Sequence, residues 1–519
     1  MTRSERLLIV LSAVAALALR ALALLRYRFD SDEQQHLHVA WGWTAGKIQY
    51  RDVFDNHAPL FHMVTAPVLA MFGERSDILL WMRLPILVLF AIVLWATFDI
   101  AKRLYDASVA AWAVVLLALF PPFFLKSLEY RTDNLWTAFW MLALVALVRG
   151  WRPFVIGLLL GCALAVSLKT PLLLIALGSA FLLHKWSGGL QPAEDGRRAE
   201  ARRSTTILAG IAGFVIVPAA LSIFFVSVGA WDELVYCNFT FNTNLARAQD
   251  NAWALRTLAL LGAAALVYLA RKSDAPRLRW ILGVTVGVFS IAIAGVWLLI
   301  SPRDFLPMFP LLAIFAAAHL TDVRVLAVAV AAMLVALYYY ADRFEKNTDW
   351  HVTMMDQALR LTRPGEPLMD LKGETIYRHR PFYYAFELIT RTQMAKGLIP
   401  DTVAQDVVRS RTYVAQADGP MWPPASRAWL SAHFVNLGRL RAAGNWVKDG
   451  TFVVGVPGEY VVLDADGEAR GTLDGTPYTS PRVLAAGAHR FIGEKETCVL
   501  WAPAWRRGHS PFHLRDLDF

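Results

Sequence analysis

The sequence predicts a polytopic α-helical membrane protein with a mixed α/β and β-sandwich-like domain at its C-terminus. Hydrophobic residues make up 56% of the 519 residues and charged residues only 18%, and the mean hydropathy is +0.41. Soluble domains are about 45–50% apolar and about 25% charged. This composition excludes a soluble cytosolic enzyme, a disordered chain and a secreted disulfide scaffold.

Apolar runs long enough to cross about 30 Å of hydrocarbon recur along the first 341 residues. We predict about eleven spans, and the run at 171–184 is short enough to be half of a broken helix. The first run lacks a small-residue cleavage site, so we interpret it as an anchor and not as a signal peptide. The predicted spans are 7–25, 78–100, 107–125, 132–148, 153–168, 171–184, 205–228, 254–270, 280–300, 304–320 and 324–341.

The distribution of basic residues predicts the orientation. Lys102, Arg103, Arg149, Arg152 and the basic stretches within 197–203 and 271–279 all fall in loops on the side of the N-terminus. Basic loops face the cytoplasm, so the N-terminus is expected there and residues after 341 are expected outside a bacterial inner membrane. The net charge of +9 is explained by these loops, and no nucleic-acid partner is expected.

The chain changes character after residue 341. Residues 342–519 contain Pro, Gly and charge at globular frequencies, with no run long enough to span a membrane. We predict a helix at 352–362 and strands at 452–456 and 460–463, where β-branched and aromatic residues cluster. The predicted domains are therefore 1–341 in the membrane and 342–519 outside it.

The first external loop, 26–77, contains an unusual group of acids and histidines. A predicted helix begins at 30–31 and ends near 45–46, so Asp30 or Ser31 would cap it and the acids in its first turn would favour the helix dipole. Alternatively, a carboxylate at the edge of the lipid has a raised pKa, which suits a general base. Asp32 and His36 lie on one face of this helix. These considerations leave both interpretations open.

A longer motif in this loop adds a resemblance. Residues 46–60 read G-x-x-x-Y-x-D-x-F-D-N-H-x-P-L and follow the Asp32-Glu33 pair. With the many spans, this segment resembles the GT-C membrane glycosyltransferases, and within them the family 39 group of protein O-mannosyltransferases and lipid A aminoarabinose transferases. The segments 129–133, 168–171 and 301–307 agree with the resemblance, which covers about residues 1–320 and implies a GT-C fold.

The resemblance implies roles for particular residues. Asp32 matches the catalytic acid, with Glu33 as its support, and Asp55, Asn56 and His57 match a segment that faces the substrate cavity. In that class the acid deprotonates an acceptor hydroxyl, which attacks a sugar carried on polyprenyl phosphate and inverts its configuration. This chain has His57-Ala58-Pro59 where the aminoarabinose enzymes have Lys-Pro-Pro, so the sugar and the acceptor stay open.

Basic residues at the external ends of spans could bind the donor phosphate. Lys169 and Arg303 lie at that depth, and a cation there would stabilise the negative charge that develops on the leaving phosphate. Their alternative role is snorkelling to the lipid headgroups. Arg131 and Asp133 could line the substrate cavity or form an interfacial ion pair of little energetic value.

No cofactor is required by this interpretation, although a divalent cation could bind. His36, His57 and His62 with Asp32 or Asp55 offer suitable ligands, but no HExxH spacing supports a metal site. The expected partners are a polyprenyl-phosphate sugar donor, membrane lipids and an acceptor that is a lipid, a glycan or a protein. The alternatives are a transporter or flippase of lipid-linked glycans and a noncatalytic scaffold, which would leave the Asp-Glu loop unexplained.

Overall fold

A computed structural model describes residues 1–187, 196–243, 256–257, 260, 277–297, 299–416, 419 and 421–512, with the backbone alone at 185–187 and 196–204. Its contacts divide the chain into two compact units. The membrane unit consists of Met1–Phe29, Asn56–Thr65 and Leu79–Thr348. The tail unit consists of Asp30–Asp55, Ala66–Ile78 and Asp349–Phe519. Parts of the first loop therefore fold with the C-terminal tail, which follows the membrane helices in the chain.

Helices dominate the described part of the first 340 residues. In chain order they are α1 Arg3–Arg26, α2 Ser31–Thr44, α3 Leu60–Phe72, α4 Ile78–Leu104, α5 Ala107–Leu119, α6 Pro121–Lys126, α7 Thr132–Val148, α8 Pro153–Val166, α9 Thr170–Ser187, α10 Gly196–Ser227, α11 Trp231–Val235, α12 Phe241–Thr243, α13 Arg277–Val296, α14 Phe309–His319 and α15 Val323–Tyr340.

Five helices in the described residues are long and apolar enough to cross a membrane: α1, α4, the 205–227 part of α10, α13 and α15. Six shorter helices of 10–17 residues are also apolar. This set supports the predicted multi-pass membrane protein, since a hydrophobic stretch of about 20 residues spans the hydrocarbon. The predicted span at 254–270 lies almost wholly outside the described residues, so the predicted number of spans stays a prediction.

Two segments differ from the sequence prediction. The run at 107–125 is not one span, because α5 ends before Phe120 and α6 begins with two prolines, Pro121 and Pro122. Proline lacks the amide hydrogen of a helix interior and is tolerated in the first turn, so the chain bends there. Residues 60–72 form α3, where the sequence suggested only loop, although Pro67 lies inside the helix.

Small residues bring α8 and α10 together in the membrane unit. A Cβ atom on Gly157 would lie 1.9 Å from the carbonyl oxygen of Gly210, and one on Gly161 would lie 2.3 Å from that of Phe214. On the other helix, a Cβ on Gly213 would lie 2.1 Å from the carbonyl oxygen of Phe154. Glycines permit the two backbones to approach this closely. Such close packing stabilises helix pairs in lipid, where the hydrophobic effect does not drive helices together.

The tail unit contains helices and two antiparallel sheets, as the sequence predicts for the C-terminus. The elements after residue 348 are α16 Asp349–Leu361, α17 Leu388–Ala395, α18 Val403–Arg409, β1 Val414–Gln416, α19 Pro424–His433, β2 Phe434–Asn436, β3 Leu440–Trp446, β4 Thr451–Val454, β5 Gly458–Asp464, β6 Gly467–Glu468, β7 Gly471–Leu473, β8 Thr476–Tyr478, β9 Arg482–Leu484, β10 Gly487–Ile492, β11 Cys498–Trp501 and α20 Ala502–Arg506. One seven-stranded sheet has the order β1-β3-β11-β5-β6, with β2 on β3 and β9 on β5, and a four-stranded sheet has the order β4-β10-β7-β8.

Candidate active site

The acidic start of α2 forms a capping box. The carboxylate of Asp30 accepts a hydrogen bond of 3.1 Å from the amide of Asp32, and the carboxylate of Glu33 accepts one of 2.9 Å from the amide of Asp30. This reciprocal arrangement satisfies amide groups that a helix start leaves without partners. The predicted cap is confirmed. Glu33 is fully buried and stabilises the helix that carries Asp32.

Asp32 contacts a lysine that lies 340 residues later in the chain. The Nζ of Lys372 lies 2.5 Å from Oδ1 of Asp32 and 3.2 Å from Oγ of Ser31. Burial on its own would lower the pKa of Lys372, but the charges of Asp32 and Glu387 outweigh it and raise that pKa, so the side chain is a cation at neutral pH. The Asp32 side chain is 27% exposed and can therefore meet a substrate, whereas Lys372 is only 6% exposed.

The loop that carries Lys372 is held by a buried aspartate. The carboxylate of Asp370 accepts hydrogen bonds of 2.7 Å from the amides of Gly373 and Thr375 and from the Thr375 hydroxyl. Arg380 forms an ion pair of 2.8 Å with the same carboxylate. Asp370 is fully buried, so these bonds and this cation compensate a charge that would otherwise be very costly. The sequence analysis missed Lys372, Asp370 and Arg380.

A second carboxylate in this loop has an unusual environment. Burial, with the nearby charge of Asp370, raises the pKa of Glu374 to about 7, although Lys372 and Arg380 act in the opposite direction. Gln416 supplies a side-chain hydrogen bond to Glu374. Within the described residues, Oε2 of Glu374 has no hydrogen-bond partner. The group therefore titrates near neutral pH.

The second half of the first loop contains Asp55 and its partners. Nε2 of Gln49 donates a hydrogen bond of 2.7 Å to Asp55, and Oε1 of Gln49 accepts one of 3.0 Å from the indole of Trp43. His36 is buried like Asp55, and one ligand atom of each lies within 4.8 Å of the other. These two residues are thus near enough to share a cation. His57, the third predicted ligand, belongs to the membrane unit.

Asn56 and His57 begin the part of the loop that belongs to the membrane unit. Nδ2 of Asn56 donates a hydrogen bond of 3.2 Å to Asn242, and Nδ2 of Asn242 donates one of 3.1 Å to the Asn56 carbonyl. His57 is half-buried. Both bonds join the motif to α12 within the membrane unit.

Four of the predicted residues lie in one charged cluster of the membrane unit, which we call the basic cluster. Lys169 lies between two carboxylates, with its Nζ 3.1 Å from Asp133 and 2.6 Å from Asp304. The second oxygen of Asp133 pairs with Arg131 at 3.4 Å. Arg303 immediately precedes Asp304 in the sequence, and this neighbour connects Arg303 to the same group.

Arg303 and Lys126 pair with the same glutamate. The Nε of Arg303 lies 2.9 Å from Glu129, and the Nζ of Lys126 lies 2.6 Å from its other oxygen. The basic cluster therefore has four cations, Lys126, Arg131, Lys169 and Arg303, and three carboxylates, Glu129, Asp133 and Asp304. Among these seven groups one positive charge is in excess, which favours an anionic ligand.

Arg20, on α1, fixes the backbone that carries Lys126 and Glu129. It is 3% exposed and donates hydrogen bonds of 2.5 Å to the carbonyls of Phe124 and Ser127. Its guanidinium also lies 4.2 Å from the ring centroid of Phe90. A buried arginine that satisfies backbone carbonyls in this way holds the turn after α6 against α1.

Comparisons with known proteins agree with this architecture. The profile of the family described as dolichyl-phosphate-mannose-protein mannosyltransferase matches residues 56–222. No curated protein sequence matches the chain significantly. Among solved structures, ArnT from Cupriavidus metallidurans bound to undecaprenyl phosphate aligns with a TM-score of 0.59 and 14% identity, over 84% of this chain and 97% of ArnT. Its apo structure aligns with a TM-score of 0.58, 14% identity and the same coverage.

At this identity the structural similarity establishes the fold, and it extends over nearly the whole of ArnT. The family profile covers the end of the motif, from Asn56 onward, and the part of the chain that contains most of the basic cluster, without Arg303 and Asp304. The predicted resemblance is therefore confirmed. The chain is a multi-pass membrane protein whose fold is similar to that of ArnT, and its residues 56–222 are similar to the protein mannosyltransferase family.

Proposed function

We propose that this protein is an inverting glycosyltransferase that moves a single sugar from a polyprenyl-phosphate-linked donor to an acceptor outside the membrane. The observation that carries the proposal is the fold shared with ArnT, whose solved structure holds undecaprenyl phosphate. The acceptor is a lipid, a glycan or a protein. The proposed enzyme lies in a bacterial inner membrane with its N-terminus in the cytoplasm and its C-terminal domain outside.

In the proposed reaction Asp32 is the general base. The acceptor hydroxyl transfers its proton to the Asp32 carboxylate, and its oxygen forms a bond to the anomeric carbon. The bond between that carbon and the phosphate oxygen breaks, the electron pair stays on the phosphate, and the configuration inverts. The partial exposure of Asp32 and the fixed start of α2 support this role, because a base must be both accessible and positioned.

Lys169 and Arg303 are the proposed ligands of the donor phosphate. Negative charge grows on that phosphate as the bond breaks, and preorganised cations are worth most where charge develops. The ion pairs with Asp133 and Glu129 hold both side chains in place before the donor arrives. The excess positive charge of the basic cluster supports an anionic ligand there.

Five further residues are proposed to face the substrates. They are Asp55, Asn56, His57, Arg131 and Asp133. Asp55 and Asp133 are almost fully buried and engaged in hydrogen bonds, which suits residues that shape a site and do not themselves react. No cofactor is required in this proposal. If the enzyme used a divalent cation, His36 and Asp55 would be among its ligands.

Transfer of label from donors of known chemistry tests the proposal. Purified full-length protein in detergent is incubated with a panel of radiolabelled polyprenyl-phosphate sugars, and transfer or donor hydrolysis is compared with that of Asp32→Asn. Loss of a general base is expected to lower the rate about 10²–10⁴-fold. Asp466→Asn, on an exposed turn of the tail unit, is the matched control and should keep full activity.

Two outcomes contradict the proposal in different ways. Full activity of Asp32→Asn removes Asp32 from the mechanism. Absence of any donor consumption, combined with movement of labelled lipid across reconstituted vesicles, would favour a transporter of lipid-linked glycans.

A further inference from the structure

Lys372 is a buried lysine in a loop of the tail unit that is held by the hydrogen bonds of Asp370. Its ammonium group reaches Asp32 and Ser31, at the first turn of α2. The contact joins the proposed base to a residue from the far end of the sequence. The resemblance to membrane glycosyltransferases covers only about the first 320 residues, so it could not predict the contact between Lys372 and Asp32.

The loop around Lys372 is preorganised. Arg380 donates hydrogen bonds to the carbonyls of Asp370, Leu371 and Tyr384, at 3.0–3.2 Å. Gly373 has a φ of +87° and packs against His38, where an added Cβ would come within 2.6 Å of the ring. Because these contacts fix the backbone, Lys372 starts from one defined position. Little conformational entropy is then lost when its ammonium group contacts the Asp32 carboxylate.

The charges around Asp32 show why a cation is needed there. Asp30 caps α2, and Glu33 lies in its first turn. The Lys372 loop contributes Asp370, Glu374 and Arg380. Glu387, which directly precedes α17, acts on Lys372. Carboxylates outnumber cations in this set, even with Glu374 counted as neutral. Like charges favour protonation of a carboxylate.

We propose that Lys372 is a positioning residue for Asp32, which keeps the carboxylate ionised and oriented for the acceptor hydroxyl. This inference rests on the proposed function. In the reaction cycle the ammonium group stays charged and contacts no substrate atom. It acts only through Asp32, which takes up the proton of the acceptor. The C-terminal domain thus takes part in the chemistry and is not a passive cover.

The pH dependence of sugar transfer distinguishes positioning from a merely structural role. Lys372→Met removes the charge and keeps the length of the side chain. We expect the midpoint of the acid limb of kcat/KM to rise by about 1–3 pH units, the range by which a neighbouring opposite charge displaces a carboxylate titration. Lys372→Arg should keep the midpoint within about half a pH unit, since it retains the cation. Lys448→Met, at an exposed site of the same unit, is the matched control.

A double-mutant cycle completes the test. If Lys372 acts through Asp32, then Lys372→Met should cause no further loss of transfer in the Asp32→Asn protein. An unmoved acid limb, or the same fold-loss in both backgrounds, would overturn the inference while leaving Asp32 as the base. Full activity of Asp32→Asn would instead refute the proposed function. Thermal unfolding of each variant in detergent verifies that the compared proteins are folded.

Discussion

The buried Glu374 makes the stability of this protein depend on pH in a direction opposite to that of most carboxylates. Its pKa is about 7 in the folded protein, against an ordinary value of 4.5. Between these two values the folded state binds more protons than the unfolded state. The free energy of unfolding therefore falls as pH rises from 4.5 to 7, and it stays low above pH 7.

The magnitude follows from the displacement of the pKa. One pKa unit corresponds to about 1.4 kcal/mol, so the whole displacement is worth about 3 kcal/mol, of which about 2.5 kcal/mol falls between pH 5 and pH 8. Glu374 is 5% exposed, so little screening by solvent reduces this value. Replacing Glu374 by Gln removes the titrating group and retains an oxygen that can accept the hydrogen bond from Gln416.

The assay is thermal unfolding of the detergent-purified chain at pH 5 and pH 8. The gain in Tm from Glu374→Gln should be greater at pH 8 than at pH 5 by about 5–10 °C, since 1 kcal/mol shifts Tm by about 2–4 °C for a unit of 150–250 residues, the size range of the tail unit. Glu468→Gln, on an exposed strand of the same unit, should show no such difference. An equal effect of Glu374→Gln at both pH values would refute the reasoning.

Three further substitutions test the Lys372 loop and the basic cluster. Gly373→Ala should destabilise the protein by about 1–3 kcal/mol, because its backbone lies in the left-handed region and His38 leaves no room for a Cβ; an unchanged Tm would contradict this. Arg380→Met leaves Asp370 buried without its cation and should cost about 3–5 kcal/mol, measured by denaturant unfolding, so a loss below 1 kcal/mol would count against the ion pair. Lys169→Met should weaken binding of radiolabelled undecaprenyl phosphate about 10- to 100-fold, whereas Lys169→Arg should retain most of it; unchanged binding by Lys169→Met would remove Lys169 from the phosphate site.

Local patterns predicted much of this protein correctly. The cap of α2 follows from the Asp30-to-Glu33 spacing, and most apolar helices lie where hydropathy places them. The predicted span at 107–125 was wrong in one respect. Two prolines within this apolar run separate α5 from α6. Helix α3 escaped notice because its 13 residues are too few to span a membrane.

The partners of the candidate residues were harder to predict. That Lys169 would contact Asp133 and Asp304 depends on helix packing, and no local period encodes it. Lys372 gave even less signal, since a lysine in a charged tail is normally a solvated surface residue. Its role depends on a loop conformation that is set by the buried Asp370, far from α2 in sequence.

Arg20 has a consequence for how the chain is made. As α1 emerges from the ribosome and enters the membrane, its guanidinium has none of its final partners, because Phe124 and Ser127 are synthesised about a hundred residues later. A charged residue at the centre of a helix in lipid costs about 2.5–3.5 kcal/mol on insertion scales, and Arg20, nearer the end of α1, costs less than that. The first helix therefore has reason to stay beside the translocon or to shift its depth until the turn after α6 arrives. One side chain of the first helix thus completes its hydrogen bonds only after the turn that carries Lys126 and Glu129 has been made.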